Sequence, residues 1–130
     1  MSGLVGVLVG LAVLAALNTG HDGGCATVHA NAAADVPARL EALAALAGMS
    51  REAVAAQAAS AFDAVLHLRR ADRRYVAEVG VVRRGASGEL EVACAIRVEP
   101  SGATEPGPAW PALADRLGLP VARAELGRPR

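Results

Sequence analysis

Lysine is absent from this sequence of 130 residues, and all thirteen of its basic side chains are arginine. The absence matters because a phosphate-binding loop of the G-x4-G-K-[ST] type uses a lysine to reach the β- and γ-phosphates of a nucleotide. The sequence therefore contains no such loop. Thirteen acidic residues bring the formal net charge to zero, which excludes a global attraction to nucleic acid or to anionic lipid.

Aromatic residues make up only 2% of the sequence, so any core must be built from Ala, Val and Leu. Apolar residues nevertheless reach 53%, which argues against intrinsic disorder and suffices for one compact domain with a modest core. The two cysteines, Cys25 and Cys94, are too few for a disulfide scaffold and indicate a reducing compartment.

The first 17 residues, M-S-G-L-V-G-V-L-V-G-L-A-V-L-A-A-L, carry no charge, and three interpretations of them remain open. A transmembrane helix needs about 20 apolar residues and usually a flanking basic residue, whereas the first arginine here is Arg39. A secretory signal needs a basic start and a small-residue cleavage site. The third interpretation, which we favour, is a buried strand at about residues 4–9 followed by a buried helix at about 11–17.

The next segments alternate strand and helix signals. Residues 25–29 are apolar enough to form a short strand buried on both faces. A helix follows, with Pro37 in its first turn and its end at Gly48, and we expect it to bury Leu40, Leu43, Leu46 and Ala47. Ser50 is a suitable N-cap for a second helix over residues 51–61, with Val54, Ala58 and Ala61 facing inward.

The pattern then changes to three strands at residues 64–70, 74–83 and 89–98, joined by hairpin turns. In the last strand Leu90, Val92, Cys94, Ile96 and Val98 alternate with Glu91, Ala93, Ala95 and Arg97, which predicts one buried and one wet face. Residues 100–108 form a Pro/Gly-rich linker. We expect residues 110–117 to form a short helix that Trp110 or Leu113 docks, and residues 121–130 to be a frayed tail.

These elements predict an α/β fold in three parts: a core at residues 1–63, an antiparallel β-meander at 64–99, and a linker with a short helix or tail at 100–130. The first two strands are parallel neighbours, because a crossover helix joins them. In the hairpin turn of the meander, Arg69, Arg70, Arg73 and Arg74 form a basic patch. The patch is either a solvated turn or a contact for an acidic partner or nucleic acid.

A cluster of chemically capable side chains lies in residues 16–31, which read A-L-N-T-G-H-D-G-G-C-A-T-V-H-A-N. His21, Asp22, Cys25 and His29 could all bind a metal ion, and H-x3-C-x3-H has some zinc character. Structural zinc sites usually draw paired ligands from two places, and we find no second pair. Alternatively, the two histidines are hydrogen-bonded residues without a ligand.

Residues 17–31 also resemble the histidine box of the secretion ATPase superfamily. That superfamily comprises type II secretion ATPases, type IV pilus motors, type IV secretion ATPases and the tight-adherence (Tad/Flp) pilus assembly ATPases, and the last branch looks closest. The resemblance covers about residues 14–83. It implies the C-terminal half of a RecA-like P-loop ATPase core with the β-meander as an appendage.

The resemblance also implies ATP and Mg²⁺ as cofactors, a homo-hexameric ring, and partners in the secretion or pilus platform of the inner membrane. It implies a cytoplasmic location at the inner face of that membrane and no specific nucleic acid. His21, Thr27 and His29 would lie near the γ-phosphate as catalytic residues. Gly20 and His29 would contact the nucleotide, with Gly20 shaping the turn.

The sequence departs from this family at the residues that hold the nucleotide. It has no P-loop lysine, and residues 6–10, G-V-L-V-G, have valine where the family's G-E-x-R-G segment has Glu and Arg. A truncated gene, a misplaced or frameshifted start, or a decayed paralogue would each explain this departure. We therefore expect a C-terminal motor segment that is inactive alone. The alternatives are a non-catalytic module that docks on a ring ATPase or membrane platform, and a small membrane-anchored protein.

Overall fold

A four-stranded antiparallel sheet organises the structure, a computed structural model that describes residues 23–120. A 3-10 helix (Ala33–Asp35) and two helices, α1 (Val36–Ala45) and α2 (Arg51–Ala61), precede it. The strands are β1 (Ala64–Arg70), β2 (Arg74–Arg84), β3 (Leu90–Val98) and β4 (Thr104–Pro106), and α3 (Trp110–Arg116) follows. The described residues thus combine helices with an antiparallel sheet, in line with the α/β class in its broad sense.

The three predicted strands of the meander are confirmed almost to the residue. β1 has the predicted bounds, β2 extends one residue further, and β3 begins one residue later. The strands lie in the order β1-β2-β3-β4, because each is joined to the next by a short turn. At the β2–β3 turn, the Gly85 amide donates to the Glu89 carbonyl at 2.7 Å, and Gly88 takes a φ of +83° that favours glycine.

The helix boundaries also follow local sequence signals. The Ser50 hydroxyl accepts a hydrogen bond from the Ala53 amide at 3.2 Å, which caps α2 as predicted. Pro37 lies in the first turn of α1. Gly48 has a φ of +76°, and its amide donates to the Ala45 carbonyl at 3.0 Å, so the chain leaves the helix there.

Hydrophobic packing covers both faces of the sheet. On one face, Ala55 and Ala58 of α2 pack with Val82 and Leu90. On the other face, α3 packs with the strands, and its cluster consists of Val81, Ala95, Ala109, Trp110, Leu113 and Ala114. The predicted docking of the last helix by Trp110 or Leu113 is confirmed, since both are buried.

The packing of α3 on the sheet shows that the prediction of a wet face for the third strand is wrong. Ala95, expected on a wet face, is fully buried, because α3 lies over that face. The segment at residues 100–108 is likewise more than a linker. Its residues Thr104–Pro106 pair with β3 as β4, and the Gly107 amide donates to the Ala95 carbonyl at 2.8 Å.

Two further predictions at the start of the chain are wrong. Residues 25–29 are exposed coil and not a buried strand, and no strand within residues 23–120 pairs with them. Their predicted neighbour, at residues 4–9, lies outside the described residues, as do the predicted helix at 11–17 and the tail at 121–130. Leu46 is 71% exposed and Ala47 is also exposed, because α1 ends at Ala45, and Ala44 is buried instead.

The N-cap of α2 gives a test of this fold. We expect Ser50→Ala to lower the free energy of unfolding by about 1 kcal/mol, because the Ala53 amide loses its acceptor. The matched control is Ser60→Ala, which removes an exposed hydroxyl within the same helix. Urea denaturation followed by circular dichroism measures both variants. Equal stability of the two variants would contradict the capping role of Ser50.

Candidate functional site

A groove of about 690 Å³ opens between the coil at residues 24–30 and the start of the sheet. One wall is the coil itself, and the opposite wall is formed by residues 61–68, which include most of β1. Residues of α1, β2 and β3 complete the lining: Val36, Leu40, Leu43, Ala44, Val82, Leu90 and Val92. The groove is therefore mainly apolar, and it brings the candidate histidine segment against β1.

The coil is anchored at its C-terminal end. It leads into the 3-10 helix, which contacts β1, β2 and β3, and the first residue of that helix, Ala33, is fully buried. Val36 and Pro37 of α1 are buried directly afterwards. The Asp35 amide donates to the Ala32 carbonyl at 3.1 Å and closes this turn. The packing of the 3-10 helix thus determines where residues 24–30 run along the groove.

Thr27 and His29, the predicted site residues that the structure describes, both lie in this wall with exposed side chains. Gly20 and His21 lie outside the described residues. The structure adds His67, a half-buried residue of β1, which lines the same groove as His29. The sequence pattern gave His67 no partner, because only the folding of β1 beside the coil brings the two histidines to one groove.

Asp63 and Arg116 connect the start of β1 to α3, and neither residue was predicted from the sequence to do so. The Asp63 carbonyl accepts from the Val82 amide at 3.2 Å and from Arg116 Nη1 at 2.6 Å. Arg116 Nη2 also donates to the Val82 carbonyl at 3.2 Å. Arg116 therefore links the last turn of α3 to two backbone carbonyls of the sheet. A basic residue at a helix C-terminus was the only local signal for it.

The Asp63 carboxylate contributes little to this link. Its side chain is 93% exposed, and its Oδ1 lies 3.8 Å from Arg116 Nη1. Solvent screens such an ion pair, so its contribution to stability is small. The hydrogen bonds to backbone carbonyls carry the interaction instead, because a charged donor strengthens them.

The polar groups of the groove do not by themselves fit the ATP and Mg²⁺ that the resemblance implies. They comprise the Thr27 hydroxyl, the imidazoles of His29 and His67, the Cys25 thiol and the Asp63 carboxylate, with no arginine in the lining. A triphosphate needs fixed cationic groups around it. No hydrolytic step can therefore be assigned to these residues alone.

The described part of the chain contains only two of the four candidate zinc ligands, Cys25 and His29. Within residues 23–120, no three His, Cys, Asp or Glu side chains lie close enough together to hold a metal ion. Two of the four candidate ligands, His21 and Asp22, fall outside that range. Nor does any helix in the same range have the length and apolar character needed to cross a membrane.

Known proteins resemble this chain over a region that includes the coil at residues 24–30 and strands β1 and β2. The family model described as type II/IV secretion system protein matches residues 9–94. Two proteins of Mycobacterium tuberculosis, from strains CDC 1551 and H37Rv and each named "Putative conjugal transfer protein", are 52% identical to this chain over 81 residues. The aligned region covers 61% of this chain but only 23% of each relative. The chain thus matches less than a quarter of the length of these relatives.

The contacts of Arg116 give the second test. We expect Arg116→Ala to lower the free energy of unfolding by about 1–2 kcal/mol, because two backbone carbonyls lose a charged donor. The matched variant Asp63→Asn should change it by less than about 0.5 kcal/mol, since it removes only an exposed charge. Urea denaturation of both variants gives the comparison. A larger loss for Asp63→Asn than for Arg116→Ala would show that the side-chain ion pair carries the link.

Proposed function

Because this chain belongs to the type II/IV secretion system protein family, we propose that it is a C-terminal segment of a motor ATPase for secretion or pilus assembly. The observation that carries the proposal is the family match over residues 9–94, which includes the whole coil wall of the groove and strands β1 and β2. The name of the two mycobacterial relatives refers to conjugal transfer, which supports the same broad class of machine.

The finer assignment in this proposal is a RecA-like core of the tight-adherence branch, assembled as a homo-hexamer with ATP and Mg²⁺. It rests on the resemblance of residues 17–31 to the histidine box. A ring of this kind would work at the cytoplasmic face of the inner membrane with platform proteins as partners. No specific nucleic acid is part of the proposal.

In this function Thr27 and His29 act as sensors of a nucleotide that other sequence holds. Both side chains are exposed in the coil, so a bound phosphate could reach them without rearrangement of the core. An imidazole can donate a charge-assisted hydrogen bond to a phosphate oxygen, and a hydroxyl can donate a further one. His21 would act beside them, with Gly20 shaping the turn. The chain supplies no lysine, so it is inactive alone.

A second candidate function is a non-catalytic module that docks on a ring ATPase or on a membrane platform. Two observations favour it. Leu66 and Leu68 of β1 are 58% and 60% exposed, so two large apolar side chains of one strand reach the surface, where a partner could cover them. The arginines at residues 69, 70, 73 and 74 are all exposed around the adjacent hairpin turn, where an acidic partner surface could meet them.

ATP turnover tests the first candidate function. We expect the purified chain to show no Mg²⁺-dependent ATP hydrolysis above the rate of the double variant Thr27→Ala, His29→Ala. The variant is the matched control, because both changes are at exposed coil positions and any contaminating ATPase would be present equally. Release of inorganic phosphate is the measurement. Hydrolysis by the chain that the variant loses would contradict the proposal that this segment is inactive alone.

The second candidate predicts a different result. A docking module should co-purify with a ring ATPase or platform protein from its own cell extract, and the Arg73→Glu, Arg74→Glu variant should lose that partner. A monodisperse monomer that retains no partner would argue against docking.

A further inference from the structure

The hairpin between β1 and β2 extends beyond the third strand of the sheet. β2 first pairs with β3 at Glu78, so residues 74–76 have β1 as their only partner strand within residues 23–120. At about 3.3 Å per residue, this two-stranded end is roughly 10 Å long. A hydrogen bond from the Ala71 amide to the Arg73 carbonyl, at 3.1 Å, closes its turn. Residues 68–76, which we call the arginine ribbon, therefore project from the sheet.

Positive charge is concentrated on the arginine ribbon. Residues 69–74 contain four exposed arginines and one acidic residue, Asp72, which gives a net charge of +3. The rest of residues 23–120 contains six arginines and ten acidic residues, which gives a net charge of −4. The formal net charge of zero for the whole chain therefore conceals a separation of charge, and the ribbon is the part that attracts an anionic partner.

The four arginines of the ribbon form no ion pair with any residue in the range 23–120. Three other arginines in that range each have a carboxylate partner: Arg51, Arg83 and Arg116. In the ribbon, Arg70 of β1 and Arg74 of β2 are direct cross-strand neighbours. Like charges in such a pair repel each other. An anionic group placed between the two guanidinium groups would relieve this repulsion.

The free edge of β1 determines the class of partner. Within the described residues, β1 pairs with β2 on one side and with no strand on the other. Its unpaired N–H and C=O groups match the backbone of an extended peptide, which can add to the edge as a further strand. A nucleic-acid duplex or a lipid headgroup has no such backbone. Leu66 and Leu68, which are 58% and 60% exposed, alternate along the same strand and offer apolar contacts to every second side chain of a peptide.

Acidic residues near the base of the ribbon disfavour a wide polyanion. β3 runs antiparallel to β2, so the exposed Glu99 that follows β3 lies at the same end of the sheet as the ribbon. The exposed Glu105 of β4 pairs with Arg97 of β3 near that end. A DNA duplex or an anionic bilayer that reached the arginines would also approach these carboxylates, which repel it. A short peptide contacts the ribbon alone.

We propose that the arginine ribbon and the edge of β1 bind an extended acidic peptide of a partner protein by strand addition. Apolar side chains at alternate positions of the peptide cover Leu66 and Leu68, and its carboxylates lie between the arginines. Arginine can pair with a carboxylate through two parallel hydrogen bonds, so these contacts also fix the register of the peptide. The inference rests on the docking function proposed above, for which it names the chemistry of the partner.

Binding of synthetic peptides to the full chain tests the role of charge. The probe is fluorescein-labelled E-D-E-V-T-V-T-V, used together with its reverse because either strand direction is allowed, and fluorescence anisotropy measures the affinity. We expect one of the two to bind about tenfold more tightly than its amide version, in which Q-N-Q replaces E-D-E. Arg70→Gln should weaken binding about fivefold. The matched control Arg39→Gln removes an exposed arginine of α1 and should leave the affinity unchanged.

Methylation of the peptide backbone tests strand addition separately from charge. Two versions carry methyl groups on alternate backbone nitrogens, so that one version blocks the nitrogens that face β1 and the other blocks those that face solvent. We expect the first to lose about tenfold in affinity and the second to retain binding, because alternate amides of a strand point to opposite edges. Equal affinities of the two versions would overturn strand addition.

Two further results would overturn the proposal. Equal binding of the acidic and amide peptides would show that charge contributes nothing. Tighter, Arg70-dependent binding of a short DNA duplex or of vesicles that contain anionic lipid would assign the ribbon to another class of partner.

Failure of this inference is distinguishable from failure of the docking function. If no peptide binds, but Arg73→Glu, Arg74→Glu still loses a partner from the cell extract, the peptide chemistry is wrong and docking stands. If no peptide binds and the extract yields no partner, both proposals are wrong.

Discussion

The close approach of small side chains to the sheet is the constraint on which the rest of the structure depends. Ala33, Ala58, Ala95 and Ala114 are fully buried, one each from the 3-10 helix, α2, β3 and α3. Alanine brings backbones close together and loses almost no side-chain entropy on burial. A chain with one Trp, one Tyr and one Phe has few large side chains with which to fill gaps, so close packing around alanine helps to keep this core dense. The burial of Ala33 also sets the course of the coil beside the groove.

Local chemistry explains which parts of this fold could be predicted. A serine hydroxyl that caps α2, a glycine with positive φ after α1 and a turn between two strands each act within a few residues, and each was predicted. The strand predicted at residues 25–29 is wrong for the opposite reason, because it depends on non-local partners. Its apolar sequence is compatible with burial, but a strand needs hydrogen bonds from a neighbour, and composition cannot supply that neighbour.

Non-local packing also explains what the sequence missed in the site. His67 follows an ordinary strand pattern, and only the register of the fold brings it to the groove with His29. Arg116 donates to the backbone carbonyls of Asp63 and Val82. Every residue has such a carbonyl, so the pattern of side chains in the sequence cannot predict which ones Arg116 contacts. The histidine motif was recognised only through its resemblance to a family. Exposed Thr and His residues in a coil would not by themselves indicate a phosphate.

The coil at residues 24–30 has two roles in this structure, since it contains Thr27 and His29 and also forms one wall of the apolar groove. It is anchored at Ala33, whereas along the groove its side chains remain exposed. The packing of Ala33 therefore limits the positions that Thr27 and His29 can take, although both side chains remain exposed. A hydrogen-bond donor that is already positioned binds a ligand more tightly than one that must first be ordered, because less conformational entropy is lost on binding.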